Sequence, residues 1–328
     1  MKPILITFFF LIPMLISAQD KVHKKVLKLM GSRFEITVIE EDETVAWNAI
    51  NAAIEEIERI EALISSWDPN SQTSALNQNA GLKPLKVDSE LYQLVSRAKK
   101  ISILTNGAFD ISYASMDKIW KFDGTMNQVP DKIEVAQSVE KIDFNRISLN
   151  KELGTVYLED AGMKIGFGAI GKGYAANRGR LVMQDLGIKN GIVNAGGDLM
   201  AWGTDEYEKP WRVAIADPKD KGQAIGWLNI QNMSVVTSGN YEKFVVIDNE
   251  KYSHIIDPRT GYPVKGLKSV TIVCPDAELA DALATSVFVM GKTNGLELVN
   301  TLADVECIIV DDKDQLTTSE NLTINYYE

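Results

Sequence analysis

The sequence predicts an α+β fold. Two observations carry this. Segments with apolar residues at helical spacing mix with strand-like segments, without the strict alternation of a doubly wound sheet. No internal repeat or low-complexity linker divides the 328 residues, which are enough for one large domain or two ordinary ones.

Taken in order, Lys25–Glu40 alternates as strand material. Glu43–Ser65 places Ile50, Ile54, Ile57, Ile60 and Ile64 at helical spacing, which predicts a long amphipathic helix. A polar stretch, Ser66–Gly81, follows. Ser89–Thr105 reads as a second helix, ended by Asn106-Gly107. Val156–Ile165 is strand-like and runs into a glycine-rich turn and a helix to about Leu186. Gly191–Trp202, Trp211–Ala216, Trp227–Val236 and Lys243–Ile255 read as strands. Ser269–Val273 is a further strand, Asp276–Val289 a helix, and a short helix and a terminal hairpin close the chain.

Residues 1–18 read as an export signal. Lys2 gives a positive start, Ile4 to Ile16 is almost wholly apolar, and Ile16-Ser17-Ala18 is a small-residue cleavage site before Gln19. The apolar run is short for a membrane span, although a retained N-terminal anchor is the alternative. The net charge of −11 argues against nucleic-acid binding, because phosphate backbones need lysine and arginine. Any bound polyphosphate must instead be neutralised locally, by a metal or by aimed backbone amides. Cys274 and Cys307 both lie in apolar, strand-like runs. Two readings stand for them: a disulfide in an oxidising compartment, or two buried thiols.

The chain has only two histidines. His23 adjoins the leader, so His254 is the one imidazole in the body of the protein and the natural proton carrier near neutral pH. It stands just before an Asp257-Pro258 turn. A structural imidazole packed on that turn is the competing reading.

Gly166-Phe167-Gly168-Ala169-Ile170-Gly171-Lys172-Gly173 follows a strand and opens a helix. Gly166, Gly168 and Gly171 fit the dinucleotide fingerprint. Gly166 through Lys172 fits the phosphate loop, except that Gly173 stands where a Ser or Thr should hold Mg²⁺. A plain tight turn is the third reading. Under either functional reading, N–H groups at a helix start face an anion and Lys172 adds charge. Asp281 and Thr285, four apart on a predicted helix, share a face and offer hard oxygen ligands of the kind Mg²⁺ accepts. A solvated helix face is the alternative.

Several segments occur in a fixed order: Met30-Gly31-Ser32, Ile64 to Ser71, Gly107-Ala108-Phe109-Asp110-Ile111-Ser112, and Gly168 to Ala176. Val193-Asn194-Ala195-Gly196-Gly197-Asp198, Thr237-Ser238-Gly239, Ser253 to Gly261, and Asp281-Ala282-Leu283-Ala284-Thr285 complete the series. Together they resemble the FAD:protein FMN transferases, the ApbE family, over nearly all of residues 19–328. The resemblance implies an ApbE-like, T-fold-like architecture with mixed or antiparallel sheets and packed helices. It also implies Mg²⁺-dependent cleavage of FAD, with the FMN half passed to a Thr or Ser hydroxyl of a target protein and AMP released. Alternatives within the resemblance are an FAD pyrophosphatase giving FMN and AMP, and an FAD-binding protein without turnover. The expected location is the periplasm or the periplasmic face of the inner membrane. The expected partner is an acceptor flavoprotein such as a membrane-bound electron-transfer subunit.

Carried over position by position, Asp281 and Thr285 match the family's Mg²⁺ ligands, and Ala169 matches a position that offers its backbone oxygen. Met30, Trp67, Ala108, Phe109, Asp110, Lys172, Ile255 and Ala284 match positions that line the FAD site. An indole such as Trp67 can stack on a flat ring; a buried core tryptophan is its alternative. His254 matches the family's histidine near the scissile pyrophosphate and is assigned as the base for the incoming hydroxyl. Three positions depart from the pattern: Gly166 and Asn177 each replace an Asp, and Gly171 replaces an Ala. Gly166 removes a carboxylate that would contact the nucleotide or support the metal.

Overall fold

The computed structural model describes residues 21–220 and 222–326, so the expected leader at 1–18 lies outside the described residues. Lys25–Glu40 is most of a hairpin, not one strand. β1 (Lys21–Leu29) and β2 (Ser32–Glu40) pair antiparallel from Lys21↔Glu40 to Leu29↔Ser32. Met30 and Gly31, with φ of 48° and 71°, supply the left-handed pair that a two-residue hairpin turn needs.

Helix α1 (Glu43–Ile64) starts where Asp42 accepts the N–H groups of Thr44 and Val45, satisfying donors that a helix start leaves open. Its isoleucine stripe faces the core, with Ile50, Ile57, Ile60 and Ile64 buried. The polar stretch after it holds a short helix, α2 (Gln72–Gln78), capped by Ser71; seven residues are too few for a periodic stripe to be read. β3 (Leu85–Lys86) leads to α3 (Ser89–Leu104), which stops before Asn106-Gly107, both at positive φ. Then come α4 (Lys132–Val139), β4 (Ile147–Asn150) and β5 (Thr155–Leu158), with β5 between β3 and β4 in a small sheet. The strand expected over Val156–Ile165 ends at Leu158, ahead of a turn at Gly162 with φ of 79°.

Helix α5 (Gly171–Asp185) is followed by β6 (Asn190–Ala195), β7 (Asp198–Trp202), β8 (Trp211–Ala216), β9 (Ala224–Ile230) and β10 (Met233–Gly239). After these lie β11 (Phe244–Ile247), β12 (Glu250–Ser253), β13 (Leu267–Cys274), α6 (Ala277–Met290) and α7 (Lys292–Asn300). The chain closes with the expected hairpin, β14 (Glu306–Asp311) and β15 (Leu316–Thr318), and with β16 (Asn325–Tyr326). Gly191–Trp202, Trp227–Val236 and Lys243–Ile255 each prove to be two strands. The breaks at Gly196-Gly197, Gln231-Asn232 and Asp248-Asn249 are two residues long and lack proline, so strand-rich sequence reads through them.

The main sheet has eight antiparallel strands in the order β1-β2-β6-β7-β10-β13-β14-β15. On one face, α1 lies over β1–β2, α5 over β6–β7 and α6 over β10–β13, each helix touching the next. Beneath α1 and α5 is one apolar cluster, and beneath α6 another. The other face is covered by β8, β9 and β16, through Trp211, Ile215, Leu228 and Ile230 packed on Ile39, Ala201 and Val273. This is the expected α+β class, in three layers. Cys274 and Cys307 are free, buried thiols; Cys307 pairs with Ile272, which leaves Cys274 diagonal to it, so the disulfide alternative falls. Among the described residues, no helix is long and apolar enough to cross a membrane.

Candidate active site

The site is built around the first turn of α5. Gly166 N–H donates to the Ile111 carbonyl at 2.9 Å, and Gly171 N–H bonds back to Phe167 at 2.7 Å. Ile170 occupies the N-cap place, and no side chain caps the helix from there. The first-turn N–H groups therefore need partners from elsewhere. Asp281, on α6, provides one: its Oδ2 accepts Gly173 N–H at 3.0 Å. In a regular helix that N–H would bond to the Ala169 carbonyl. Among the described backbone bonds around the helix start, the Ala169 carbonyl accepts none.

Gly173 has no room for a side chain. A Cβ there would collide with the Ala277 carbonyl and lie 2.8 Å from Asp281 Cβ. Helix α6 thus stands where a phosphate-loop hydroxyl would project, and that reading fails on packing. The dinucleotide reading fails on topology, because β5 belongs to a small antiparallel sheet and not to a parallel βαβ unit.

Lys172 reaches across to β7, where its ammonium is ion-paired with Asp198, a carboxylate 2% exposed. Burial pushes the Asp281 carboxyl up to about 7, and the nearby Asp198 charge adds to this, while Lys172 opposes it. Asp198 is likewise pushed up by burial, with Lys172 pulling it down. Burial disfavours the Lys172 charge, but Asp198 and Asp281 outweigh it and hold the ammonium above its ordinary range. Two buried carboxylates thus share one ammonium, an arrangement that a further cation would relieve.

Asp281 and Thr285 do share a face, but it is not solvated. Asp281 is 4% exposed and α6 is buried nearly all round. Thr285 Oγ1 lies 3.2 Å from Ser238 Oγ on β10. No group of three His, Cys, Asp or Glu able to hold a metal occurs among the described residues. A magnesium set here would be mixed: the Asp281 carboxylate, the Thr285 hydroxyl and the Ala169 carbonyl. All three are hard oxygen donors, and the unbalanced negative charge suits a divalent cation.

His254 directly follows β12. Its Nδ1 is 3.1 Å from the Lys243 carbonyl, which also accepts the His254 backbone N–H at 3.0 Å. A carbonyl only accepts, so in the neutral ring Nδ1 carries the proton and Nε2 keeps its lone pair. Burial holds the imidazole below its ordinary value, against the Lys243 carbonyl, which raises it; Lys243, Glu242 and Lys172 are the charged groups that act on it. Lys172 therefore links His254 electrostatically to the Asp281 corner.

The remaining predicted residues fall around this centre. Met30 donates its N–H to Glu61 at 2.8 Å, and its methyl approaches Gly171. Ala108, Ile255 and Ala284 are buried together in the cluster beneath α6, whereas Phe109 is buried in the neighbouring cluster. Asp110 accepts from Ser112 N–H at 2.7 Å, Ser112 Oγ at 2.6 Å and Phe144 N–H at 3.0 Å, and burial raises its pKa. These bonds give it a structural task in its own loop. Trp67 is 79% exposed, so it is no core residue, and the Lys118 ammonium lies 4.4 Å from its ring centroid. Its neighbour Ser66 has its hydroxyl 3.7 Å from where a Gly166 Cβ would be.

Sequence reasoning assigned no role to Asp198, Ser238 or Glu242. Asp198 carried a usable signal: a carboxylate straight after a Gly-Gly turn at the head of an apolar strand must find a counter-charge. Gly166 and Asn177, where the resemblance implies Asp, each have defined surroundings. A Cβ on Gly166 would sit 3.1 Å from Ala114 Cβ, so Ala114 would have to shift by a few tenths of an ångström to admit one. Asn177 donates to Asp276 Oδ1 at 2.8 Å and accepts from Ala277 N–H at 3.1 Å; a carboxylate could not do the first.

Fold and site together define an α+β protein organised around a corner that combines a lysine, hard oxygen donors and an imidazole whose Nε2 keeps its lone pair. The ApbE family model matches residues 30–309, and the chain belongs to the ApbE family. It is 30% identical to the FAD:protein FMN transferase of Klebsiella pneumoniae (strain 342), over 89% of this chain and 90% of the relative. It is 32% identical to the FAD:protein FMN transferase of Treponema pallidum (strain Nichols), over 80% and 77%. The crystal structure of the ApbE protein from Thermotoga maritima superposes with a TM-score of 0.84 at 30% identity, covering 92% of this chain and 97% of that one. The flavin transferase ApbE from Vibrio cholerae gives 0.82 at 23% identity over 92% and 98%, a likeness of fold.

Proposed function

We propose that this chain transfers the FMN moiety of FAD to a Thr or Ser hydroxyl of an acceptor protein, with Mg²⁺, and releases AMP. The observation that carries the reading is the convergence of Lys172, Asp281 and His254 at the start of α5, from positions up to 109 residues apart. The Lys172 ammonium at the start of α5 binds the pyrophosphate, because the first-turn N–H groups of Gly171 and Gly173 are already bonded to Phe167 and Asp281. The exposed face of Trp67 receives a flat ring of the substrate. His254 Nε2 takes the proton of the acceptor hydroxyl as its oxygen bonds to the phosphorus of the FMN half. The bond from that phosphorus to the bridging oxygen breaks, and AMP leaves with the bridging oxygen. Mg²⁺, held by Asp281, Thr285 and the Ala169 carbonyl, would neutralise charge on the pyrophosphate.

The acceptor lies outside this chain, and an exported enzyme would meet it in the periplasm, for example as a membrane-bound electron-transfer subunit. The test is incubation with FAD, Mg²⁺ and a periplasmic flavoprotein domain carrying the acceptor Thr. Covalent FMN on that domain and stoichiometric AMP are expected. FMN and AMP formed without labelled protein would make the enzyme a pyrophosphatase, and intact FAD would make it a binding protein.

A further inference from the structure

Between Met116 and Asp131 the chain forms no helix or strand, yet its first part is tied to the site at several points. Trp120 is buried, and its Nε1 donates to the Gly261 carbonyl at 2.8 Å, in the turn that follows His254. The Trp120 indole stacks on Tyr252 with centroids 5.5 Å apart, and meets Tyr262 edge-on at 6.1 Å. Phe122 lies parallel to Trp120, at 6.4 Å and 7°. The Phe122 ring in turn stands against the His254 ring at 6.5 Å and 78°, an edge-to-face contact. The imidazole is therefore held on two sides, by the Lys243 carbonyl at Nδ1 and by the ring of Phe122.

We infer that Phe122, anchored through Trp120, is a positioning residue for His254. The inference deepens the transferase reading and rests on it only for the role of His254 as base. A base must be fixed in rotation as well as in protonation state, because its lone pair must point at the incoming hydroxyl. The Lys243 carbonyl sets which nitrogen is protonated, but one hydrogen bond leaves the ring free to rock about it. The Phe122 ring packed against it removes that freedom and excludes water from that side of the imidazole. Exclusion of water disfavours the charged ring, in keeping with the lowered pKa of His254. The charged groups acting on His254 are Lys243 and Glu242 next to its own hairpin and Lys172 from α5. None of them lies on the Trp120–Phe122 segment, so a change at Phe122 alters packing and hydration and not charge.

With only two histidines in the chain, the experiment is direct. The imidazole signals are followed by NMR against pH, without FAD or metal, and assigned by the loss of one signal in His254→Gln. In the unsubstituted protein, His254 titrates below 6.5 and its neutral form is protonated at Nδ1. In Phe122→Ala and in Trp120→Phe the titration moves up towards 6.5 and the tautomers mix. In turnover, kcat falls by about tenfold with KM for FAD unchanged, and the acid limb of kcat moves to higher pH. Phe122→Leu, which keeps apolar volume without the flat ring, restores part of the pKa shift but not the rate. If Phe122→Ala fails to fold, Phe122→Leu and Trp120→Phe decide the matter. Unchanged titration and tautomer in folded variants would overturn the inference. A protein that shows the NMR effects but never cleaves FAD would sink the transferase reading alone.

Discussion

Asp281 accepts the backbone N–H of Gly173 at 3.0 Å, so a residue of α6 caps the start of α5 from 108 positions away. The bond diverts that N–H from the Ala169 carbonyl and leaves a backbone oxygen open beside a buried carboxylate. One contact thus closes the helix pair and prepares two of the three proposed metal ligands. Asp281 therefore contributes to folding as well as to the site, contrary to what a solvated helix carboxylate would do.

Asp281→Ala and Asp281→Asn separate the two tasks. Alanine leaves the Gly173 N–H buried without a partner, at a cost of about 1–3 kcal/mol, which urea unfolding will register. Asparagine keeps an oxygen for that N–H and should retain most of the stability. Both should lose Mg²⁺ binding in calorimetry, because both lose the charge. Loss of stability in alanine without loss of Mg²⁺ binding would make Asp281 a structural cap only.

The raised pKa of Asp281, about 7 against an ordinary 3.8, gives a signed pH dependence. Between those values the folded protein holds a proton that the unfolded chain releases, so stability without metal declines as pH rises through the window. His254, with its pKa lowered, contributes in the opposite sense near its ordinary value of 6.5. Asp281→Asn cancels the first contribution and leaves the second. Thermal unfolding from pH 5 to 8 should therefore show the unsubstituted protein losing ground to Asp281→Asn as pH rises. Added Mg²⁺ should reverse the trend for the unsubstituted protein alone. Parallel curves would refute the assignment.

Local signals were legible where the physics is local. The isoleucine stripe of α1, the Asn106-Gly107 stop of α3 and the shared face of Asp281 and Thr285 all follow from spacing. Two-residue turns such as Asp248-Asn249 were not, because the strands on each side carry the same composition. Spacing also could not say what covers a face. Asp281 is buried because Gly173 admits α6, and Asp198 matters because Lys172 reaches it; both are contacts between distant segments. The resemblance ordered the segments, but only the fold says that the carbonyl of Lys243 decides which nitrogen of His254 is free.

The glycines of the α5 turn should respond very differently to substitution. Gly173→Ser, which would complete the phosphate-loop pattern, drives a side chain into the Ala277 carbonyl and Asp281. Its expected cost is about 3 kcal/mol or more, since both neighbours are fixed in helices. Gly168 has nothing within 4 Å of an added Cβ, and Gly168→Ala should change stability by less than about 0.5 kcal/mol. If the folded Gly168→Ala protein then binds FAD more weakly, the open space at Gly168 belongs to the ligand.

Cys274 and Cys307 are buried, and burial pushes both thiols up to about 11. At pH 7 about one part in ten thousand of each is thiolate, the reactive form. The native protein should therefore leave a thiol reagent unconsumed over minutes, and the denatured protein should consume two equivalents. No reagent consumed after denaturation would mean that the two sulfurs are bonded.

Asn177→Asp supplies the aspartate that the family resemblance implies at this position, and the structure predicts that it harms this chain. The amide of Asn177 bridges Asp276 and the N–H of Ala277 at the start of α6. Aspartate would keep the second bond, lose the first and place two carboxylates together. The cost should be about 1–2 kcal/mol at pH 7. Repulsion raises the carboxylate pKa values in the folded state, so the penalty is present above the ordinary carboxylate range and fades as pH falls through it. Urea unfolding at pH 7 and near pH 4 should show the deficit in the first condition and little in the second. Asn177 contacts no proposed ligand of FAD or metal, so FAD turnover per folded molecule should not change. Higher turnover in Asn177→Asp would instead place position 177 in the chemistry, and the clip between α5 and α6 would be a replacement for a lost catalytic group.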